Sequence, residues 1–193
     1  MAPPLIFVRH GETDWNVAGR LQGQTDTPLN PKGRDQADAV GRTLASAFPD
    51  LSGHVFVASP LERASETMRR VRAGLGLDPE AFAVDDRLKE MTFGRWEGST
   101  FADIRTREPA VMKARDADRW GHRPPGGESY QDVSDRFAEF LAGLEGPAVV
   151  VSHGGVARVA LALIGGGDRK KLPHLHVQQG RAMLIENGRW RWV

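Results

Sequence analysis

Three short apolar runs most constrain what this chain can fold into: Leu5–Val8 (LIFV), His54–Ala58 (HVFVA) and Ala148–Ser152 (AVVVS). Each is too short for a helix and rich in β-branched residues, which reads as a strand buried on both faces. The segments between them carry helical periodicity. Asn30-Pro31 is an N-cap followed by a proline at the first helical position, after which Ala37, Val40, Leu44 and Ala47 share one face and Pro49 ends the run. Ser59-Pro60 repeats that signal and opens a helix that Gly74 closes. Glu128–Leu144 is helical with Val133, Phe137, Phe140 and Leu141 on one side, and Gly154–Ile164 follows the third apolar run.

Phe82 and Val84 suggest one more short strand, while Ala182–Glu186 and Trp190–Val193 flank Asn187-Gly188, a strong type I′ turn. Gly11–Leu29 reads as loop with at most a helical turn. Arg87–Gly127 is irregular, with short helices near Phe101–Arg107 and Ala110–Arg119. Strands alternating with helices predict an α/β fold, a three-layer α/β/α sandwich around a mostly parallel sheet, with an antiparallel hairpin added at the C-terminal end.

A length of 193 residues predicts one domain over 1–193. The net charge of +1 argues against a nucleic-acid-binding surface, which shows as a large basic excess. The absence of cysteine excludes disulfides, thiolate metal sites and cysteine nucleophiles. No basic start with a long apolar stretch follows Met1-Ala2-Pro3-Pro4, and no apolar run has membrane-spanning length, so no membrane association and a cytoplasmic setting are expected. Self-association as a homodimer is compatible with this composition.

In sheets of this kind, ligands bind beyond the carboxyl ends of the strands. The first apolar run ends in Arg9-His10-Gly11, the second in Ser59 with Arg63 one turn later, and the third in Ser152-His153-Gly154-Gly155. If these ends are neighbours, two histidines and two arginines converge with backbone N–H groups on one anion. Taken singly, Arg9 or Arg63 fits a surface ion pair, and His153 a structural histidine. Repetition at the same topological place favours an anion site; on the residues alone both readings stand.

Four segments add a resemblance. Arg9-His10-Gly11-Glu12-Thr13, continued by Asn16 and Gly19-Arg20-Leu21-Gln22-Gly23, is the first. Ser59-Pro60-Leu61-Glu62-Arg63-Ala64 is the second, and Leu88-Lys89-Glu90 with Phe93-Gly94-Arg95-Trp96-Glu97-Gly98 the third. Val151-Ser152-His153-Gly154-Gly155 is the fourth. In this order they resemble the histidine phosphatase superfamily, in its phosphoglycerate-mutase-like branch.

The resemblance implies that His10 is a nucleophile that becomes a transient phosphohistidine. Arg9, Arg63 and a cationic His153 then stabilise the phosphoryl oxygens and keep His10 neutral. Glu90 is implied as the acid that protonates the leaving alkoxide and the base that then activates water. Asn16, Gln22, Gly23 and Gly154 are implied as substrate-binding positions, Gly11 as the residue that lets backbone approach the substrate. Neither a metal nor a cofactor is implied. The partner is a small phosphorylated substrate.

Phosphatases of the family pass the phosphoryl group to water, and mutases return it to substrate. Mutases of this branch carry extra sequence between the third and fourth motifs. Here that region is compact and holds Pro125-Gly126-Gly127-Glu128-Ser129, which resembles the phosphatase side. A non-catalytic phospholigand-binding protein is the reading from another class; it would lack His10, His153 or Glu90. Phe93, Trp96, Trp120, His122 and Arg123 are the expected substrate walls. Glu12 is expected as a local ion-pair partner rather than an acid. His174 and His176 are two histidines without a third ligand in sequence reach, and Trp190 and Trp192 are one buried face of the hairpin.

Overall fold

The computed structural model describes residues 3–193; Met1 and Ala2, on which part of the N-terminal reading rests, lie outside them. Six strands form one sheet: β1 (Leu5–Arg9), β2 (Val55–Ala58), β3 (Ala83–Val84), β4 (Ala148–Ser152), β5 (Ala182–Glu186) and β6 (Arg189–Trp192), in the order β3-β2-β4-β1-β5-β6. The first four pair in parallel, and β5 and β6 are antiparallel additions at one side. This is the expected α/β sandwich.

Side chains of successive strand residues face opposite sides of a sheet, and both faces here are apolar. Leu5, Phe7, Ala148 and Val150 face a core shared with α6 (Tyr130–Ala142) and α7 (Gly154–Ile164). Ile6, Val8, Val149 and Val151 face a second core shared with α2 (Pro31–Ala47) and α3 (Glu62–Gly74). Burial on both faces explains why these strands are runs rather than alternations.

The caps follow the sequence with one exception. Asn30 accepts from Gly33 N–H at the start of α2, and Asn187 and Gly188 both take the positive φ that the hairpin turn needs. Ser129 and Asp132 form a capping box that starts α6 two residues later than expected. Ser59, however, is not the N-cap: α3 begins after Leu61, and the Ser59 hydroxyl accepts from Leu61 N–H at 3.3 Å while also reaching His153.

Between β3 and α6 the chain leaves the sheet. Two short helices, α4 (Phe101–Arg107) and α5 (Pro109–Ala117), enclose a small cluster of Trp96, Ile104 and Met112. The remaining helix, α1 (Asp14–Val17), is a single turn capped by Thr13 after β1. Among the described residues no helix is long and apolar enough to cross a membrane.

Candidate active site

The sheet order decides the site. Because β4 lies between β1 and β2, with Arg9 opposite Ser152 and Ala58 opposite Val151, the next residue of each strand emerges at one edge. Those residues are His10, Ser59 and His153. The two imidazole centroids are 5.1 Å apart.

The ring of His10 is nearly sealed, at 2% exposure. Its Nδ1 lies 2.7 Å from the Gly11 carbonyl oxygen. A carbonyl only accepts, so Nδ1 carries the proton and Nε2 keeps its lone pair. Burial, then Arg63 and Arg9, hold the His10 pKa well below its usual 6.5. The same order of causes, burial first and Arg63 next, depresses His153. Burial and the neighbouring guanidinia thus weigh against the cationic His153 that the resemblance implies.

Arg63 is fully buried. Its Nη1 donates to the Thr25 carbonyl at 3.0 Å and its Nη2 to that of Gly23 at 2.7 Å. Arg9 donates through Nη1 to the Val177 carbonyl at 2.7 Å, and burial lowers its pKa to about 10. Arg9 Nε, Arg63 Nε and His153 Nδ1 are buried without a protein partner among the described residues. Folded chains rarely leave buried donors unpaired, and all three belong to side chains close enough to His10 to act on it electrostatically. Glu90 completes the ring of groups: its carboxylate accepts from Gly155 N–H at 3.1 Å and from Met91 N–H at 2.8 Å, at the start of α7.

The comparisons agree with this geometry. Residues 5–193 match the family described as histidine phosphatase superfamily (branch 1). The chain belongs to that superfamily. It is 37% identical over 175 residues to a glucosyl-3-phosphoglycerate phosphatase of Mycolicibacterium vanbaalenii, covering 83% of this chain and 74% of the relative. It is 36% identical over 155 residues to a Salmonella paratyphi C protein named "Probable phosphoglycerate mutase", covering 78% of this chain and 69% of the relative. Among solved structures, a mycobacterial glucosyl-3-phosphoglycerate phosphatase complexed with VO3 superposes with a TM-score of 0.79 at 33% identity, covering 100% of this chain and 98% of the other.

Within this histidine phosphatase, the remaining expected positions divide. Gly154 opens α7 beside Arg9. Gly23 (φ +52) contributes the carbonyl that holds Arg63, and a β-carbon there would fall 2.0 Å from Glu97 Oε1. Gln22 spends its side-chain oxygen on the Thr13 and Thr27 hydroxyls. Asn16 Oδ1 accepts from the Thr13 backbone and from Gln179 Nε2. Gly11 is explained differently from the expectation: a β-carbon there would meet the Gly33 carbonyl oxygen at 2.2 Å, so its bareness lets β1 end against α2.

Of the expected walls, Trp96 is not one; it is fully buried in the satellite cluster and stacks on His122. Trp120 stacks on Tyr130, and Arg123 is engaged by Asp132. Glu12 pairs with Lys32 at 2.9 Å, as expected of it.

Sequence reading gave no role to Glu97, which organises the loop that holds Arg63. One carboxylate accepts from Gln24 N–H, Thr25 N–H and hydroxyl, the Thr92 hydroxyl and Phe93 N–H. Ser59 was visible as a polar strand end, but only its 2.8 Å contact with His153 Nε2 shows what it does. Thr67 donates to the Arg63 carbonyl and accepts from Gly11 N–H, tying α3 to the end of β1.

Proposed function

We propose that this chain is a metal-independent phosphomonoester hydrolase working through phosphohistidine on a small phosphorylated metabolite. The observation that carries the reading is the His10 tautomer. With Nδ1–H held by the Gly11 carbonyl, the lone pair on Nε2 is the only part of the ring free to meet phosphorus. In the first step Nε2 bonds to phosphorus as the ester P–O bond breaks, and protonated Glu90 gives its proton to the departing alkoxide. In the second, water attacks the phosphohistidine, Glu90 takes the water's proton, and inorganic phosphate leaves.

The unpartnered Arg9 Nε and Arg63 Nε face charge on the phosphoryl oxygens, which is the main service a protein performs in this class of reaction. With the Ser59 hydroxyl donating to Nε2, His153 presents Nδ1–H to the same oxygens. A dianion there favours the cationic form of His153 that burial otherwise opposes. Asn16, Gln22, Gly23 and Gly154 serve the site mainly by building its wall and fixing Arg63. The phosphatase names of the relatives at 37% and 33% identity support hydrolysis over mutase chemistry. The cytoplasmic setting, and residues 1–193 as one catalytic domain, belong to the same proposal.

His10→Ala tests it. Hydrolysis of p-nitrophenyl phosphate in chelator is expected to fall by about 10⁴-fold or more, with loss of acid-labile phosphoenzyme. Retained turnover would remove His10 as nucleophile. Appearance of 2-phosphoglycerate from 3-phosphoglycerate, in place of inorganic phosphate, would make the chain a mutase.

A further inference from the structure

Arg158 is a cation that the mechanism above does not use. It lies one turn into α7, and its guanidinium folds back toward the start of that helix. Arg158 Nη1 is 3.4 Å from where a β-carbon on Gly154 would sit, and Arg9 Nε is 3.5 Å from the same point. Arg158 Nε donates to the Leu175 carbonyl at 3.0 Å, while Arg9 Nη1 donates to the Val177 carbonyl at 2.7 Å. One stretch of chain, Leu175–Val177, thus straps both guanidinia side by side.

Neither arginine forms an ion pair with a carboxylate among the described residues. Two like charges at the positive end of a helix oppose each other and the helix dipole; burial weakens the cationic form of Arg9 most, the Glu90 carboxylate supports it, and Arg158 weakens it further. The Glu90 carboxylate at the same helix start bonds to Gly155 N–H and to neither guanidinium, so an entering anion would be the first to pair with them directly. Arg9 faces the transferred phosphoryl group. Arg158 Nη1 and Nη2 bond to no described residue and are not sealed from solvent. A guanidinium held by its Nε, with its terminal fork free, suits a carboxylate.

We propose that Arg158 receives a second acidic group of the substrate, a carboxylate a few bonds from the phosphoryl group. The preferred substrates are then phosphorylated small hydroxy acids rather than phosphorylated neutral alcohols. This rests on the phosphatase reading and names the substrate class of the same site.

The matched probes are 3-phosphoglycerate and glycerol 3-phosphate, which differ by a carboxylate against a hydroxymethyl group. The ratio of their kcat/KM values is expected to favour the acid by about 10- to 100-fold. In Arg158→Met that ratio is expected to collapse toward one, chiefly through the KM of the acid, with partial recovery in Arg158→Lys. An unchanged ratio, with both substrates losing equally, overturns the inference and makes Arg158 a positioning residue for Arg9.

Should the variants fail to fold, competitive inhibition of p-nitrophenyl phosphate hydrolysis by the two probes in the unaltered protein decides it. A Ki at least tenfold lower for the acid supports the inference, and equal values overturn it. Turnover of the aryl phosphate through phosphohistidine, with no preference between the probes, overturns this inference while leaving the phosphatase reading intact. No turnover of any of the three overturns both.

Discussion

The ends of β1, β2 and β4 and the segment 91–127 both hold aromatic and cationic side chains, but they treat charge in opposite ways. Beside the strand ends Arg63 is sealed from solvent, hydrogen-bonded by backbone carbonyls with the exposed Asp26 carboxylate no nearer than 4.0 Å, and keeps an unpartnered Nε. In the outer segment Arg123 is 63% exposed and Asp132 cancels its charge, while Arg95 does the same with Glu108. The difference comes from the mount. Parallel strands emerge from the sheet at fixed spacing, and carbonyls can orient a guanidinium without neutralising it. Surface loops let each cation find its own carboxylate, which costs little and contributes little. Guanidinia oriented by carbonyls rather than by close carboxylates therefore collect beside the strand ends, where chemistry on a phosphate ester needs them.

The sharpest way to break this comparison is to delete one cation from each region. Arg63→Met is expected to lower kcat/KM for an aryl phosphate by about 10³-fold, whereas Arg123→Met leaves it within about twofold and leaves thermal stability nearly unchanged. Steady-state kinetics with thermal unfolding on both variants checks it; equal losses would show that the outer arginine also reaches substrate.

Glu97 joins the two regions, since it sits in the outer segment and orders the loop whose carbonyls hold Arg63. Glu97→Gln is expected to lower kcat/KM by about 10-fold through misplacement of that guanidinium. The double variant with Arg63→Met should then lose no more than Arg63→Met alone. Additive losses would separate Glu97 from Arg63.

Stability carries a separate, pH-dependent signature of the same buried rings. The folded pKa values of His10 and His153 lie below the unfolded value near 6.5, so below that pH the unfolded chain binds protons that the folded chain refuses. Stability is complete above pH 6.5 and falls as the pH drops, by about 1.4 kcal/mol per unit for each ring until its depressed pKa is reached. Urea unfolding at pH 7.5, 6.5 and 5.5 should show this decline, and the His10→Asn, His153→Gln double variant should flatten it. An equal slope in both proteins would mean that neither ring is held neutral.

Local pattern carried the architecture because it depends on periodicity alone: Leu5–Arg9, Ala148–Ser152 and the Asn187-Gly188 turn appear where the residues put them. Glu12 was likewise readable as an ion-pair partner once Glu90 matched the family position, although its partner Lys32 was not. Misreadings fell where a long-range contact outbids a local one. Ser59 looks like a cap and serves His153, 94 positions away. Gly11 looks like a substrate approach and is a close contact with Gly33. Trp96 looks like a wall and is the centre of its own small core.

What the sequence determined by itself was the set of strands and the polar residue ending each, together with the family to which they point. Strand order was left to the tertiary structure, and that order placed β4 between β1 and β2 and brought His10, Ser59 and His153 to one edge. Tertiary packing also chose the protonated nitrogen of His10, the carbonyls that hold Arg63, and the pairing of Arg9 with Arg158. The physical reason is that period and propensity act within a few residues, whereas desolvation and hydrogen-bond partners are settled by whichever distant backbone comes within 3 Å or so.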